Sequence, residues 1–263
     1  MLRLPDLAAD PLLPAGFDTH CHLQDPRLAL DLTGVLARAR AAGVTRLVCC
    51  ATREQDWAAV RELSRRPGIG IMLGLHPWHV AAAVPGWLDR LEAQLLAQAA
   101  GVGECGLDFR PDHPDPALQE RALIAQLRLA IRLDRPVSLH CVRAWGPLRA
   151  CLERTGIPAA GAVLHAYSGS VELARAFTGL GLHLGFGGAI ADPAARRARA
   201  ALAAVAAERI LFETDAPDLA PPGWAGPNEP ASLAWVVAAA QAIRGDAVAV
   251  QAEANAQRLF GRI

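Results

Sequence analysis

The sequence predicts an α/β fold closed into a (β/α)8, or TIM, barrel. Three observations carry this expectation: apolar runs of strand length alternate with helical patterns along the chain, the runs number eight, and metal-favouring side chains end runs one, four, five, six and eight. An open doubly wound sheet would gather its ligands from two or three neighbouring strands at one switch point, so this spread favours closure. A chain of 263 residues with 52% hydrophobic content has the size of one such barrel, and a single domain over residues 1–263 is expected.

The elements follow in order. Gly16–His20 is the first strand-like run; leucine, valine and alanine at three- and four-residue spacing over Leu30–Ala42 read as a helix, and Gly43 supplies its stop. Thr45–Ala51 precedes a helix over Gln55–Arg65, and Gly70–Leu75 precedes one over Trp87–Ala99. Gly101–Glu104 leads to Pro116–Leu133, and Pro136–His140 leads to Trp145–Thr155, closed by Gly156 and Pro158. Ala162–His165 is followed by Val171–Leu180; Leu182–Gly187 is followed by Pro193–Ala207, with Asp192 as its expected N-cap and Pro193 in its first turn. Ile210–Thr214 is the eighth run, and helices over Ala231–Ile243 and Ala247–Phe260 end the chain.

Composition excludes several classes. The formal net charge is zero and no run of like charges occurs, so no broad basic face for duplex binding is expected. All 26 basic residues are arginine, which rules out a P-loop lysine, a Schiff-base lysine and a carbamylated lysine between metals. Any bridging side chain must then be a carboxylate. The six cysteines form no C-x-x-C pair and lie mostly in apolar runs, so reduced, buried thiols are expected. The N-terminal stretch lacks a basic region followed by a sustained apolar one, and no uninterrupted apolar stretch is long enough to span a membrane. A cytoplasmic monomer with no membrane or protein partner is the expectation.

The chemistry sits at the strand ends. In Phe17-Asp18-Thr19-His20-Cys21-His22, period-two geometry turns both imidazoles to one side, where they can chelate one ion; Asp18 is expected to accept from an imidazole N–H and orient it. Glu104, flanked by apolar residues and glycine, would be costly to leave ionised without a cation and is expected to bridge two metals. With His140 and His165 it would hold the second ion. Asp215 would ligate the first and take a proton from the attacking water, making Asp215 and Glu104 the catalytic carboxylates; Glu213 could support them. His76, Asp108 and Arg143 are the expected substrate contacts, with an orienting role open for His76 and Asp108. Two divalent ions lower the pKa of water and polarise an ester or phosphoryl oxygen; neither a G-x-S-x-G nor a Rossmann glycine fingerprint offers a rival chemistry.

Taken together with Gly74-Leu75-His76-Pro77, Gly103-Glu104-Cys105-Gly106-Leu107-Asp108, His165-Ala166-Tyr167-Ser168-Gly169, Glu213-Thr214-Asp215-Ala216-Pro217, Asn228-Glu229-Pro230 and Asn255-Ala256-Gln257-Arg258-Leu259-Phe260, these segments resemble the TatD family of metal-dependent deoxyribonucleases, a branch of the metal-dependent barrel hydrolases. The resemblance covers nearly the whole chain. It implies that His20, His22, Glu104 and Asp215 hold one metal and Glu104, His140 and His165 the other, as zinc, manganese or magnesium. It also implies phosphodiesterase action on DNA or short nucleic acids, with exonuclease behaviour in some members, and structural roles for Asn228 and Asn255. One departure stands out. The family commonly shows His-x-Arg after strand five, whereas His140-Cys141-Val142-Arg143 moves the arginine one place and, by strand alternation, to the opposite face unless a loop redirects it. Arg53 and Arg110 are alternative phosphate contacts or solvated surface charges. The same metal chemistry acting on a small ester or amide, and a non-catalytic scaffold, are the competing expectations.

Overall fold

The computed structural model describes residues 16–263; the segment 1–15, on which the expectation about a secretory leader falls, lies outside the described residues. Eight parallel strands pair in sequence order: β1 (Gly16–Cys21), β2 (Val44–Cys50), β3 (Ile69–Leu73), β4 (Gly101–Asp108), β5 (Val137–Val142), β6 (Ala162–Leu164), β7 (His183–Phe186) and β8 (Ile210–Phe212). The helices are α1 (Pro26–Ala29), α2 (Leu32–Ala41), α3 (Trp57–Leu63), α4 (Trp87–Ala97), α5 (Pro116–Leu133), α6 (Trp145–Thr155), α7 (Val171–Gly179), α8 (Arg196–Ala204), α9 (Leu233–Arg244) and α10 (Ala247–Phe260). No described helix is long and apolar enough to cross a membrane.

Local chemistry explains the element ends. Asp115 accepts from the Leu118 backbone N–H and Pro116 opens the first turn of α5, whose inward stripe runs through Ala122, Leu123, Leu127 and Ala130. Gly156, at φ +78°, stops α6 as expected. Asp192 departs from expectation. Its side chain accepts from Ala194 N at 2.8 Å in a local turn, and α8 begins only at Arg196.

Two apolar layers form on either side of the sheet. Leu139, Leu164, Leu184 and Phe212 face the helices, while Phe17, Val48, Cys50, Met72, Val163 and Leu211 pack inside the barrel against Ala256, Leu259 and Phe260 of α10. That plug closes the N-terminal end and leaves the opposite mouth to polar groups. By strand alternation Ser138 and His140, His165, and Glu213 continue the inward rows of β5, β6 and β8, while Asp215, at φ +56° beyond the end of β8, is set by its backbone bond to His20 O. On β1 and β4 the row is shifted by irregularities in the ladder, between Asp18 and Cys21 and between Val102 and Cys105.

The seam between β8 and β1 is stitched at the mouth. Asp215 N donates to His20 O at 2.9 Å and His22 N to Ala216 O at 2.7 Å. Below them Thr214 N and Oγ1 donate to the two oxygens of Asp18 at 2.9 and 2.6 Å. Asp18 therefore does not orient the His20 ring as expected; it is a seam residue, and burial lifts its carboxyl to about 7 against the pull of the Thr214 hydrogen bonds.

Candidate metal centre and active site

Glu104 is the centre of the mouth, and its two oxygens face different sets of imidazoles. Oε2 lies 3.3 Å from His20 Nε2 and 3.4 Å from His22 Nε2; Oε1 lies 3.2 Å from His76 Nε2, 2.9 Å from His140 Nδ1 and 2.8 Å from His165 Nε2. Asp215 Oδ1 joins the Oε2 side, 3.4 Å from His22 Nε2 and 3.7 Å from His20 Nε2. All six expected donors are thus brought together, with His76 as a seventh.

Glu104 is not at a strand end as expected, because β4 continues to Asp108. Gly106 makes that continuation possible: at φ +150°, a Cβ on it would overlap the carbonyl oxygen of His140 on β5. Two buried glutamines of α5 then clamp the loop ends. Gln119 accepts from Asp108 N at 2.7 Å and donates to Asp108 O at 2.8 Å, and Gln126 makes the same pair of bonds with Leu75 at 2.8 and 3.1 Å. Their signal in the sequence was two amides seven residues apart on the apolar face of a helix.

The rings of His20, His22 and His140 are hydrogen-bonded from behind. Ser138 Oγ lies 2.9 Å from His20 Nδ1, the Cys50 carbonyl 2.8 Å from His22 Nδ1, and Asp108 Oδ2 3.1 Å from His140 Nε2. Glu213 is buried behind His165, with Oε1 3.6 Å from Nδ1 and accepting from Ala166 N at 2.5 Å. Gly185 leaves the space for it, since a Cβ there would overlap the carboxylate. Such partners fix which ring nitrogen faces the centre. Ser138 was missed by the sequence reading, although it lies two residues before His140 on the same strand face.

The expected substrate contacts divide. His76 is 3% exposed and lies in the donor set; Asp108 is 0% exposed, bonded to His140, Trp78 and Arg110, and turned away from solvent. Arg143 is exposed at φ +53°, just beyond β5, so the strand alternation ends before it; no described carboxylate pairs with it. Arg53 and Arg110 are each paired, with Asp56 at 3.2 Å and Asp108 at 2.6 Å. Asn228 ties the loop after β8 through Thr214 O and Asp218 O, and Asn255 holds Ala207 O and Ile210 O. The six cysteines are free and buried.

The electrostatics set ionised carboxylates against buried imidazoles. Burial favours a neutral Glu104, yet the charges of His165 and His76 and the hydrogen bond from His140 hold it ionised well below the usual carboxylate range. Burial also disfavours a charged His22, but the Asp215 hydrogen bond and the Glu104 charge outweigh it and lift the imidazole to about 9. His76, without that second carboxylate, is driven by burial down to about 4. The donor set fits divalent ions. Nε2 of His20 and of His22 face each other at 3.3 Å, as do His140 Nδ1 and His165 Nε2, and ligands about 2 Å from a shared ion stand about 3–3.4 Å apart. Three overlapping groups, His20–His22–Glu104, His20–His165–Asp215 and His76–Glu104–His140, each bring their ligand atoms within 4.8 Å of one another.

An eight-stranded parallel barrel with this nitrogen and carboxylate cluster at its C-terminal mouth defines a metal-dependent hydrolase. The family model described as TatD related DNase matches residues 17–261, and the chain belongs to that family. It is 38% identical over 226 residues to the uncharacterized metal-dependent hydrolase YjjV of Escherichia coli K12, covering 84% of this chain and 87% of YjjV. It is 37% identical over 261 residues to the 3'-5' ssDNA/RNA exonuclease TatD of Cronobacter sakazakii, covering 93% and 97%. The crystal structure of E. coli YjjV superposes with a TM-score of 0.90 at 35% identity over 94% of this chain and 98% of that one. A TatD family hydrolase of Entamoeba histolytica shares the fold, with a TM-score of 0.81 at 17% identity.

Proposed function

We propose that this protein is a phosphodiester hydrolase that removes nucleotides from single-stranded DNA or RNA, working from the 3' end, with two divalent cations. The observation that carries the reading is the division of Glu104, one oxygen toward His20 and His22 and the other toward His140 and His165. The name of the Cronobacter relative supports the substrate and polarity. One domain spanning the chain is part of the reading, supported by the family match over residues 17–261. So is a cytoplasmic setting, which the six free thiols support.

His20, His22, Glu104 and Asp215 would hold one cation, and Glu104, His140 and His165 the other, with His76 beside the second. When bound, the cations supply a lowered water pKa and charge stabilisation at the phosphoryl oxygens. Asp215 stays ionised, because the His22 hydrogen bond and the charges of His165 and His20 outweigh its burial, and it accepts the proton of the attacking water. Ser138, Asp108 and Glu213 keep the rings of His20, His140 and His165 in place through the reaction. Arg143, exposed and without a described carboxylate partner, is the contact for the substrate phosphate. His76 and Asp108, first expected to meet substrate, are assigned instead to the donor set and to its support, because both are buried.

The test is degradation of end-labelled single-stranded oligonucleotides with magnesium, manganese or zinc. Shortening from the 3' end that stops with chelator and is lost in Glu104→Gln is expected. Intact oligonucleotides with every metal, alongside turnover of a small ester or amide, would sink the nuclease reading.

A further inference from the structure

Next to the donor cluster, on the rim formed by the loops after β3 and β4, an aromatic side chain is held rigid without being covered. Trp78 is 45% exposed, the one aromatic among the exposed large hydrophobic side chains of the described residues. Its indole Nε1 donates to Asp108 Oδ2 at 2.8 Å, and its backbone N donates to His76 Nδ1 at 3.2 Å. The ring meets the His76 ring edge-on at 4.6 Å and 79°, and its centroid lies 6.2 Å from that of His140. His113 stacks on it at 5.2 Å and 12°, and the Arg110 guanidinium lies 5.3 Å from its centroid, itself fixed by Asp108. One carboxylate therefore positions both the metal-facing imidazole of His140 and the exposed indole.

An exposed, immobilised indole with an imidazole stacked on it and a guanidinium over its ring presents its remaining open π surface at little ordering cost, the arrangement that stacks nucleobases irrespective of sequence. The distance to His140 puts this surface within reach of a base whose own phosphate lies at the cluster. We infer that Trp78, backed by His113 and Arg110, is a stacking subsite for the nucleobase adjoining the cleaved phosphate. The subsite selects single strands, because a base in a duplex already has its faces covered. With zero net charge on the chain, stacking takes the part that a broad basic face plays elsewhere. This inference rests on the nucleic-acid reading of the cluster.

The experiment compares a short single-stranded oligonucleotide with one whose 3'-terminal nucleotides are abasic, using the metal-loaded full chain. Trp78→Ala should raise KM about tenfold for the base-bearing strand and leave KM for the abasic strand unchanged, while Trp78→Phe keeps most of the preference. An equal change in KM on both strands, or none on either, overturns the subsite. Metal content of each variant separates loss of the platform from damage to the neighbouring cluster. Binding of phosphorothioate versions gives a readout that needs no cleavage: wild type should hold the base-bearing strand about tenfold more tightly than the abasic one, and Trp78→Ala should hold them equally. Equal binding by wild type rejects the subsite whether or not cleavage occurs, whereas absence of cleavage with the binding preference intact rejects only the nuclease reading.

Discussion

Asp108 Oδ2 lies 3.1 Å from His140 Nε2, and on the far side of the same ring His140 Nδ1 lies 2.9 Å from Glu104 Oε1. The imidazole is thus fixed between a fully buried orienting carboxylate and the carboxylate at the centre of the cluster, with its tautomer set from behind.

Asp108→Asn should therefore weaken metal binding by about 10- to 100-fold and lower turnover correspondingly, with the fold retained. Metal titration followed by calorimetry checks this. An affinity equal to wild type would remove the orienting role from Asp108.

Removing metal should lower thermal stability. At a free-metal concentration about 100 times Kd, binding contributes about 2.7 kcal/mol, which for a chain of this size shifts Tm by about 5–10 °C. The shift should depend on pH, since His22, lifted to about 9, carries a proton in the metal-free site at neutral pH. Loading then releases that proton, and apparent affinity should fall about tenfold for each unit of acidification below 9 per displaced proton. Calorimetry in buffers of different ionisation enthalpy reads the release directly.

Far from the mouth, at the start of β7, burial and then the positive charge of Arg209 push the His183 imidazole from 6.5 down to about 4. Between those values the unfolded chain binds a proton there that the folded chain does not. Stability present above pH 6.5 is therefore lost as pH falls toward 4, by about 3 kcal/mol at most. Urea unfolding of metal-free wild type and His183→Gln at pH 7 and pH 4.5 should show the smaller loss in the variant; parallel losses would assign the acid sensitivity elsewhere.

Thr214→Val keeps the side-chain shape but removes the hydroxyl that donates to Asp18 Oδ2 and accepts from Ala216 N. A buried carboxylate left short of a donor should cost about 2 kcal/mol, seen as a lower denaturation midpoint at unchanged m-value. Metal affinity should fall with it, because this seam sets His20 and His22 against Asp215. A variant as stable as wild type would show that the backbone bonds across the seam suffice.

Much of the fold was legible because strand and helix periods are local properties of the chain. The inward rows need no knowledge of the partner strands: Val163 and His165 on one, Leu211 and Glu213 on another, and Ser138 and His140 on a third each follow period two. Two of the misreadings fall where the ladder is irregular. The register shift between Asp18 and Cys21 turns Asp18 to Thr214 and leaves Ser138, 118 residues from His20, to meet the His20 ring. On β4 the shift between Val102 and Cys105 is followed by a strand that Gly106 lets run four residues beyond Glu104, which carries Asp108 behind His140.

By itself the sequence determined the alternating units, the identities of the candidate donor side chains and, through the absence of lysine, that any bridging side chain would be a carboxylate. Only the tertiary structure decided which imidazole faces which oxygen of Glu104, that His76 joins them, and that Trp78 stands uncovered beside them. The physical reason is that barrel closure and the register shifts on β1 and β4 join residues up to 196 positions apart, and no local period encodes which of them will meet.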